Sequence, residues 1–175
     1  MATDRGEVQR VTETPWREES PRWSPQGKWI AFVSDRTGRE EVWMADERGR
    51  GLRQLSDVDC DKSSIIWAPN SKSLLWAGSD HKLRRVDIET GKTIEIASSD
   101  LGPIGTPQFS PDGKWVSYSK QDSLLRAHVY VKQIESGAEH RIDAEEFLTS
   151  SGAKWTADGK KLLLLGGSGL LRCPR

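Results

Sequence analysis

Cysteine is scarce in this chain of 175 residues, which has only Cys60 and Cys173. The two lie far apart, one in a predicted loop and one near the end of the sequence. A disulfide-stapled domain needs several paired cysteines, and a tetrahedral zinc site needs four ligands at short spacings. The sequence therefore predicts neither a disulfide framework nor a metal site.

Long apolar runs and net charge are also missing. No apolar segment approaches the roughly 20 residues of a membrane span, and residues 1–7 lack the apolar core of a signal peptide. As written, the chain is expected in the cytoplasm, or in the periplasm if it belongs to an exported bacterial protein. The formal net charge is zero and no basic stripe stands out, which argues against nucleic acid as a partner.

What the sequence does contain is one ten-residue segment that recurs four times. Each copy begins with an aromatic residue, and these aromatics are 44, 42 and 46 residues apart. The copies are residues 23–32, 67–76, 109–118 and 155–164. A period of about 40–45 residues is typical of β-propellers and solenoids.

The residues of each copy predict a β-hairpin. In Ser110-Pro111-Asp112-Gly113, proline pre-sets φ, the short polar residue fits the third position and glycine favours the fourth position of a type I turn. The apolar runs that follow the turns, such as residues 74–77 and 162–165, do not alternate with polar residues. Both faces of these strands are therefore predicted to be buried, as in a blade between two neighbours.

A second turn keeps the same register, because Gly49, Gly91 and Gly137 are 42 and 46 residues apart. With it, each repeat has four strands. We predict an all-β chain, a single β-propeller segment of four-stranded antiparallel blades that is incomplete at both ends. Full blades are expected at 20–57, 63–99 and 106–144, a trailing strand and junction at 8–19, and a partial blade at 152–175. That partial blade is predicted to hold two strands only.

Three full blades form an arc, since closed propellers have about 4–8 blades. The blades at the ends of an arc show a face that a ring would cover. Each large apolar side chain left in water forfeits about 1.5–3 kcal/mol. We therefore expect the isolated chain to associate or to be marginally soluble.

The repeat Trp23-Ser24-Pro25-Gln26-Gly27-Lys28-Trp29-Ile30-Ala31-Phe32, with its continuation through Asp46, resembles the WD-like blade of TolB, of tricorn protease and of prolyl-oligopeptidase-type peptidases. The resemblance covers residues 8 to about 166. Residues 11–25, 83–88 and 119–122 are more narrowly similar to the N-terminal propeller of tricorn-like serine peptidases. This implies a non-catalytic propeller that serves substrate access and binds peptides, other proteins or the rest of a larger chain. The alternative is a TolB-like interaction propeller of the bacterial periplasm.

No residue of this chain is predicted to be catalytic or to bind a cofactor, although the resemblance above implies a serine peptidase as the parent protein. Residues 166–169 lack the Gly-x-Ser-x-Gly spacing of a nucleophile loop and are predicted to form a hairpin turn. The spacing of His81, His128 and His140 indicates no triad. Gly91-Lys92-Thr93 lacks the upstream glycine of a phosphate loop and is predicted to be a turn.

The candidate binding residues lie in loops. Trp16 falls in a junction outside the repeating positions, and charged turns follow each predicted second strand. The candidates are Trp16, Arg36, Arg39, His81, Lys82 and Gln121. Because the turns follow equivalent strands, we expect them on one face; the competing interpretation is a solvated face that keeps the chain soluble.

The other tryptophans are predicted to be structural. Trp23, Trp67 and Trp155 occupy the repeating aromatic position and are expected in the core between blades. Trp29, Trp76 and Trp115 lie in second strands and are also expected to be buried.

Overall fold

The computed structural model describes residues 10–142, 150–166 and 169–174, and within these ranges it contains strands and no helix. No element of this part of the chain is a helix of the length and hydropathy that crossing a bilayer requires. The strands are β1 (Glu18–Trp23), β2 (Trp29–Ser34), β3 (Glu41–Asp46), β4 (Arg53–Gln54), β5 (Lys62–Trp67), β6 (Ser73–Gly78), β7 (Lys82–Asp87), β8 (Thr93–Ser98), β9 (Gly105–Phe109), β10 (Trp115–Gln121), β11 (Ala127–Gln133), β12 (Glu139–Arg141), β13 (Ser150–Trp155), β14 (Lys161–Gly166) and β15 (Gly169–Pro174).

The strands form four separate antiparallel sheets, in each of which every strand pairs with the next one along the chain. Sheets β1–β4, β5–β8 and β9–β12 have four strands, and sheet β13–β15 has three. The sheets follow one another as propeller blades and do not close into a ring among the described residues. The predicted all-β fold, with an incomplete set of propeller blades, is confirmed.

The structure differs from two strand predictions at the ends of the chain, one of which lies partly outside the described residues. Residues 169–174 form a third strand in the last sheet, because their backbone pairs with the whole of β14 through the register Lys161↔Pro174 to Gly166↔Gly169. A trailing strand and junction were predicted at 8–19; residues 10–13 are not in a strand, and residues 8 and 9 lie outside the described residues. The side chain of Val11 instead packs against Ile30, Phe32 and Ala45 on the first sheet.

The repeated turn has the predicted geometry. The Gly27 amide donates a hydrogen bond to the carbonyl oxygen of Ser24 at 2.8 Å, which closes the turn. Gly27, Gly113 and Gly159 have positive φ angles of 69°, 69° and 67°, the left-handed region that suits glycine. In the second sheet Ser71 occupies the same position with φ 56°. The turn in the second sheet therefore keeps the same backbone shape, although a left-handed conformation is less favourable for serine than for glycine.

A β-bulge recurs in the first strand of the blades. The pairing of β1 with β2 shifts register between Glu19 and Arg22, and β5 and β9 show a shift at the corresponding place. In β13 the shift lies between Ser150 and Gly152, nearer the start of the strand. The bulge places a non-glycine residue at positive φ, with Ser20 at 53°, Ser64 at 54° and Thr106 at 45°. The first strand of each of the first three sheets thus bends at one repeated position.

The hydrophobic core lies between sheets and not within them. At the first junction Val33 and Val42 of the first sheet pack on Leu74 and Trp76 of the second. At the second junction Leu75 and Leu83 meet Val116 and Tyr118, and at the third Val129 and Val131 meet Leu162 and Leu164. Each middle sheet is apolar on both faces, which explains why the second strands do not alternate.

The repeating tryptophan joins its own sheet to the preceding one. Trp67 Nε1 donates to the carbonyl oxygen of Arg22 at 2.9 Å, and Trp155 Nε1 donates to Ser117 Oγ at 3.1 Å. Trp67 is buried, whereas Trp23 is 55% exposed, so the prediction that Trp23 lies in the core was wrong. The reason is that no sheet precedes β1–β4 in the described chain. Of the tryptophans in second strands, Trp76 is fully buried, but Trp29 and Trp115 are only partly buried.

A buried ion pair also links the first two sheets. Lys62 Nζ lies 3.0 Å from Glu41 Oε2, and both side chains are inaccessible to solvent. The ammonium also donates to the backbone carbonyls of Glu40, Val58 and Cys60, and Ser56 Oγ donates to the Glu41 carboxylate. Every charge of this pair is therefore matched by several hydrogen bonds, which is the condition for tolerating a charge in the interior.

Candidate functional site

The candidate residues gather at one edge of the blades, which we call the loop face. It carries the hairpin loops β2–β3, β6–β7 and β10–β11, together with the links that join one sheet to the next. These segments share an edge because the strands of each sheet are antiparallel and in chain order, so alternate connections fall on the same side. Loops held on a rigid scaffold are the usual carriers of binding residues.

Arg36 lies at the loop face, but its side chain is largely buried. Its guanidinium forms an ion pair with Glu18 at the start of β1 and lies over two aromatic rings, with Cζ 4.8 Å from the centroid of Trp43 and 5.4 Å from that of Phe32. A cation between an acid and two aromatic rings is well satisfied. Arg36 therefore stabilises the β2–β3 hairpin.

Arg39 is bound from two sides. Its Nε donates to Glu41 Oε1 at 2.9 Å, and its other nitrogen pairs with Asp57 in the link to the second sheet. The hydrogen bond to Glu41 raises the pKa of the guanidinium further above its usual value. Arg39 thus extends the buried Lys62–Glu41 pair to the surface.

The remaining polar candidates also have contacts within the chain. Lys82 is the first residue of β7, and its Nζ lies 2.9 Å from Glu95 Oε2 on β8. His81 has φ 61°, and its backbone bridges Gly78 and Ser99. Gln121 ends β10, and a Cβ on Gly102 would lie 2.5 Å from Gln121 Oε1, so this amide packs against the link between the second and third sheets. The polar groups of the loop face mainly hold the loops in place.

Apolar side chains, in contrast, project from the same face. Leu124 and Leu125 at the tip of the β10–β11 loop are 68% and 70% exposed, and Leu101 lies exposed in the link beside Gly102. Trp16 is also exposed, in the segment before β1, where the neighbouring Arg17 amide donates to Asp35 Oδ1 of the β2–β3 loop. Of the predicted candidates, Trp16 is the one that presents a large free surface.

Asp122 fixes the loop that presents the two leucines. Its Oδ1 accepts hydrogen bonds from the backbone amides of Leu124 at 2.8 Å and Arg126 at 3.0 Å. Its Oδ2 accepts from Arg126 Nε at 2.8 Å and lies 3.0 Å from Nε2 of the buried His128. Hydrogen bonds from Arg126 and His128 hold the pKa of Asp122 well below its usual range. The carboxylate is therefore ionised and occupied as the support of this loop.

The leucine pair pays a conformational cost for its position. Leu125 has φ 59°, a left-handed conformation that costs a non-glycine residue roughly 1 kcal/mol. Two adjacent exposed leucines thus form a small apolar patch on a hydrogen-bonded, slightly strained loop tip. Sequence reasoning missed Leu101, Leu124 and Leu125; the signal was an apolar pair inside the predicted hairpin loop that follows Asp122.

Three features of the described residues bear on catalysis and metal binding. His128 and Asp122 are 3.0 Å apart, like two members of a triad, but both serve the loop, and His128 is buried. Among residues 10–142, 150–166 and 169–174, no three His, Cys, Asp or Glu side chains cluster as metal ligands would. Cys60 is a partly buried thiol beside Gly78, and burial raises its pKa.

Comparisons with known proteins agree on the architecture. No protein-family model matches the chain. The uncharacterized peptidase YuxL of Bacillus subtilis (strain 168) is 27% identical, in an alignment that covers 67% of this chain and 25% of that protein. The chain spans less than half of the length of the curated relatives that it matches first.

Two solved structures have the same arrangement of blades. Tricorn protease superposes with a TM-score of 0.77 at 20% identity, over 89% of this chain and 16% of that one. TolB from Acinetobacter baumannii superposes with a TM-score of 0.67 at 22% identity, over 93% of this chain and 41% of that one. At these identities the similarity establishes the fold, a β-propeller of the TolB and tricorn kind.

Proposed function

We propose that this chain, which is built of β-propeller repeats of the TolB/tricorn type, is a non-catalytic segment of a tricorn-like serine peptidase. In this role it binds peptide or unfolded protein substrate on its loop face, ahead of a catalytic domain. The similarity to YuxL, which is named as a peptidase, supports this assignment over 67% of the chain. The sequence resemblance of the blade junction at residues 11–25 points the same way.

One observation carries the proposal: the exposed leucine pair at 124–125. The chain has polar residues in most of its other loops, yet here it exposes two leucines on a tip that Asp122 holds in one shape. Covering an exposed apolar patch with another apolar surface lowers the free energy of the system. Unfolded polypeptide offers such surface, whereas small polar ligands do not.

Binding of a fluorescently labelled, leucine- and phenylalanine-rich unstructured peptide would test the proposal by fluorescence anisotropy. The double variant Leu124→Ser/Leu125→Ser should bind about tenfold more weakly than the unsubstituted chain, because truncating a central contact typically costs over 1 kcal/mol. The matched control is Leu52→Ser, an exposed leucine in the β3–β4 loop at the opposite edge of the blades. Equal dissociation constants for the double variant and the control would refute the proposed site.

A TolB-like interaction propeller of the bacterial periplasm is the second candidate. It is favoured by the superposition on TolB, which extends over 93% of this chain. Sequencing the source DNA on both sides of the coding region separates the two. An open frame that continues into further blades and a serine-bearing catalytic domain supports the peptidase assignment. A frame that closes within the propeller and is preceded by a small α/β domain supports the TolB-like one.

A further inference from the structure

A cleft opens between the first and second sheets at the edge opposite the loop face, and we call it the first cleft. This edge carries the β1–β2, β3–β4, β5–β6 and β7–β8 connections, since alternate connections of an antiparallel sheet fall on the same side. The first cleft has a volume of about 550 Å³. Sites for small molecules span about 300–1,000 Å³ and are common where two structural units meet. Its apolar walls and its positive charges come from Trp29, Met44 and Ile88, and from Lys28, Arg53 and Lys72.

The walls of the first cleft are apolar on both sheets. Met44 of β3 is 2% exposed, and Ile88, which directly follows β7, is 9% exposed. Trp29, the first residue of β2, is half-buried and packs against the core cluster that contains both of these side chains. The apolar body of a ligand in the cleft would therefore be removed from water on two sides, which is favourable.

Contacts across the junction hold these walls in place. Arg53 Nη2 donates a hydrogen bond to the backbone carbonyl oxygen of Ile88 and lies 3.4 Å from Met44 Sδ. The hydrogen bond from Trp67 to Arg22 joins the same two sheets. A site whose walls are fixed before binding loses less entropy when a ligand enters. The nitrogens Nε and Nη1 of Arg53 take no part in these contacts, so they can donate hydrogen bonds to an anion.

Two lysines bring further positive charge to the first cleft. Lys28 Nζ lies 5.1 Å from the centroid of the Trp29 ring, which holds the ammonium beside the apolar wall. Lys72 is exposed in the repeated turn of the second sheet. Within the part of the chain that the structure describes, neither ammonium forms an ion pair. With Arg53, these lysines give the cleft three cations.

Two carboxylates also line the first cleft, and they limit the charge that a ligand should carry. Asp87 Oδ1 accepts hydrogen bonds from the backbone N and from Oγ1 of Thr90, each at 2.8 Å, and these bonds lower the pKa of Asp87. This carboxylate is therefore ionised and holds the β7–β8 turn. Glu89 is exposed. Three cations and two carboxylates leave one excess positive charge, which a monoanion balances and a dianion exceeds.

The junction between the second and third sheets contains an equivalent cleft, which we call the second cleft. It is smaller, at about 250 Å³, and Lys114 and Ile134 line it in the places of Lys72 and Ile88. The equivalence follows from the backbone, because Ile88 N donates to the Lys72 carbonyl oxygen at 2.9 Å and Ile134 N donates to that of Lys114 at 3.0 Å. The two clefts therefore have the same wall on the side of the following sheet.

The preceding sheet is what makes the two clefts different. By register, Ser73 and Arg85 of the second sheet take the places of Trp29 and Met44 of the first. Arg85 Nε donates to Ser73 Oγ at 3.0 Å, so a polar pair stands where the first cleft has an indole and a thioether. A junction thus forms without the apolar wall, and the wall of the first cleft is not a requirement of the blade repeat.

We propose that the first cleft is a binding site for a small aromatic monocarboxylate. The aromatic ring lies between Trp29 and Ile88, and the carboxylate pairs with the ammonium groups of Lys28 and Lys72. Aromatic rings and aliphatic side chains supply the contact area in such sites, and a few charged groups fix the orientation of the ligand. The site is independent of the proposed function, because it lies at the edge of the blades opposite the loop face.

Isothermal titration calorimetry of the full chain with three probes tests the class of ligand. Naphthoate, naphthylmethanol and naphthyl phosphate share one ring system and carry one, no and two negative charges near neutral pH. Naphthoate should bind about tenfold more tightly than naphthylmethanol, because hydrogen bonds to a charged group are stronger than those to a hydroxyl. Naphthyl phosphate should bind no more tightly than naphthoate. The proposal is overturned if naphthoate does not bind, if the neutral alcohol binds equally well, or if the phosphate binds more tightly.

Substitutions on the rim and in the wall test the location. Lys28→Gln and Lys72→Gln should each weaken naphthoate binding by about fivefold, the upper value for an exposed ion pair. The matched control is Lys114→Gln, which removes a lysine from the same turn position beside the second cleft and should leave the affinity unchanged. Equal losses in all three variants would indicate a general attraction to the basic turns and would overturn the site.

Trp29→Ser gives the first cleft the residue that the second sheet has at this place, and it should weaken naphthoate binding by about tenfold or more. Circular dichroism melts check that this variant is folded; the two lysine variants change exposed side chains and decide the matter if it is not. Unchanged affinity in folded Trp29→Ser would rule out the aromatic wall.

The loop-face variant Leu124→Ser/Leu125→Ser separates this site from the proposed peptide site. Its affinity for naphthoate should equal that of the unsubstituted chain. A loss of naphthoate binding in this variant would place the probe on the exposed leucines and overturn the cleft as its site. Absence of peptide binding at Leu124 and Leu125 leaves the result for naphthoate unchanged, so the two proposals fail separately.

Discussion

Trp67 Nε1 donates a hydrogen bond to the backbone carbonyl oxygen of Arg22, 2.9 Å away, across the boundary between the first and second sheets. Trp155 repeats the contact one junction further on with Ser117 Oγ as acceptor. Phe109 occupies the same position in the third sheet and has no N–H to donate. What the junctions share is therefore the aromatic packing, and the hydrogen bond is an addition at two of the three.

Trp67→Phe should lower the free energy of unfolding by about 1 kcal/mol beyond any packing change, because it removes one buried hydrogen bond and leaves the Arg22 carbonyl without its partner. Urea unfolding followed by circular dichroism measures the loss. Trp16→Phe is the control, since Trp16 is an exposed indole in a link. Equal midpoints for the two variants would show that the indole N–H adds nothing at this junction.

Lys62→Met should be far more damaging, with a loss of about 3–5 kcal/mol, because it leaves the Glu41 carboxylate buried without its cation. The double variant Lys62→Met/Glu41→Leu removes both charges and should recover much of that loss. A thermal unfolding series of the single and double variants measures the coupling. If the double variant is less stable than either single variant by the sum of their effects, the two side chains act independently and the interpretation fails.

Ser71→Gly should stabilise the chain by up to about 1 kcal/mol, because Ser71 has a left-handed conformation that glycine adopts without strain. The equivalent turns carry Gly27, Gly113 and Gly159 with nearly the same φ. Gly113→Ser is the reciprocal change and should destabilise by a similar amount. Denaturant midpoints of the two variants should therefore move in opposite directions, and movement in the same direction would rule out backbone strain as the cause.

Tyr118 should stay protonated in the folded chain at a pH where an ordinary tyrosine ionises. Burial, and then the hydrogen bond that its hydroxyl donates to Glu139, raise the pKa of Tyr118 well above its usual value. An unfolded tyrosine ionises near pH 10. The stability that the neutral buried phenol contributes is thus fully present below about pH 10 and is lost as the pH rises beyond it.

Absorbance titration of a Tyr130→Phe variant isolates this phenol, since the chain has only two tyrosines. We expect no phenolate signal near pH 10 in the folded protein, and a normal transition there in denaturant. Half-ionisation near pH 10 with native circular dichroism would contradict the buried hydrogen bond to Glu139.

The repeat could be predicted well from the sequence because its turns and its buried strands are determined by residues close together in the chain. The hairpin predicted at residues 23–32 is present, with Trp23 of β1 paired to Ile30 of β2 across the turn. A turn with Pro and Gly in fixed places sets where each hairpin begins, and an unbroken apolar run sets where its strand is buried on both faces. Gly166 and Gly169 likewise form the end of a hairpin, although the strand that follows was not predicted.

Burial at the ends of the row and pairing across loops could not be predicted from local residues. Trp23 and Trp67 are the same residue in the same motif, and only the presence of a preceding sheet makes one exposed and the other buried. Arg36 was predicted as a binding residue from its loop position, but its partner Glu18 lies on another strand and its stacking partners lie on two more. Contacts between residues on different strands cannot be inferred from the spacing of residues along the sequence.

The bulge at Ser20, Ser64 and Thr106 has a consequence for how such proteins change over evolutionary time. The same bend recurs in the first three blades, and the same aromatic position recurs in all four. Because the junctions are built from equivalent parts, the gene can gain or lose a whole repeat without a new kind of contact. An in-frame duplication between two equivalent positions would join surfaces that already fit. The bulge therefore marks equivalent positions at which one structural repeat can be joined to another. A recombination library with crossovers at Ser20, Ser64 and Thr106 should yield folded chains with different numbers of blades.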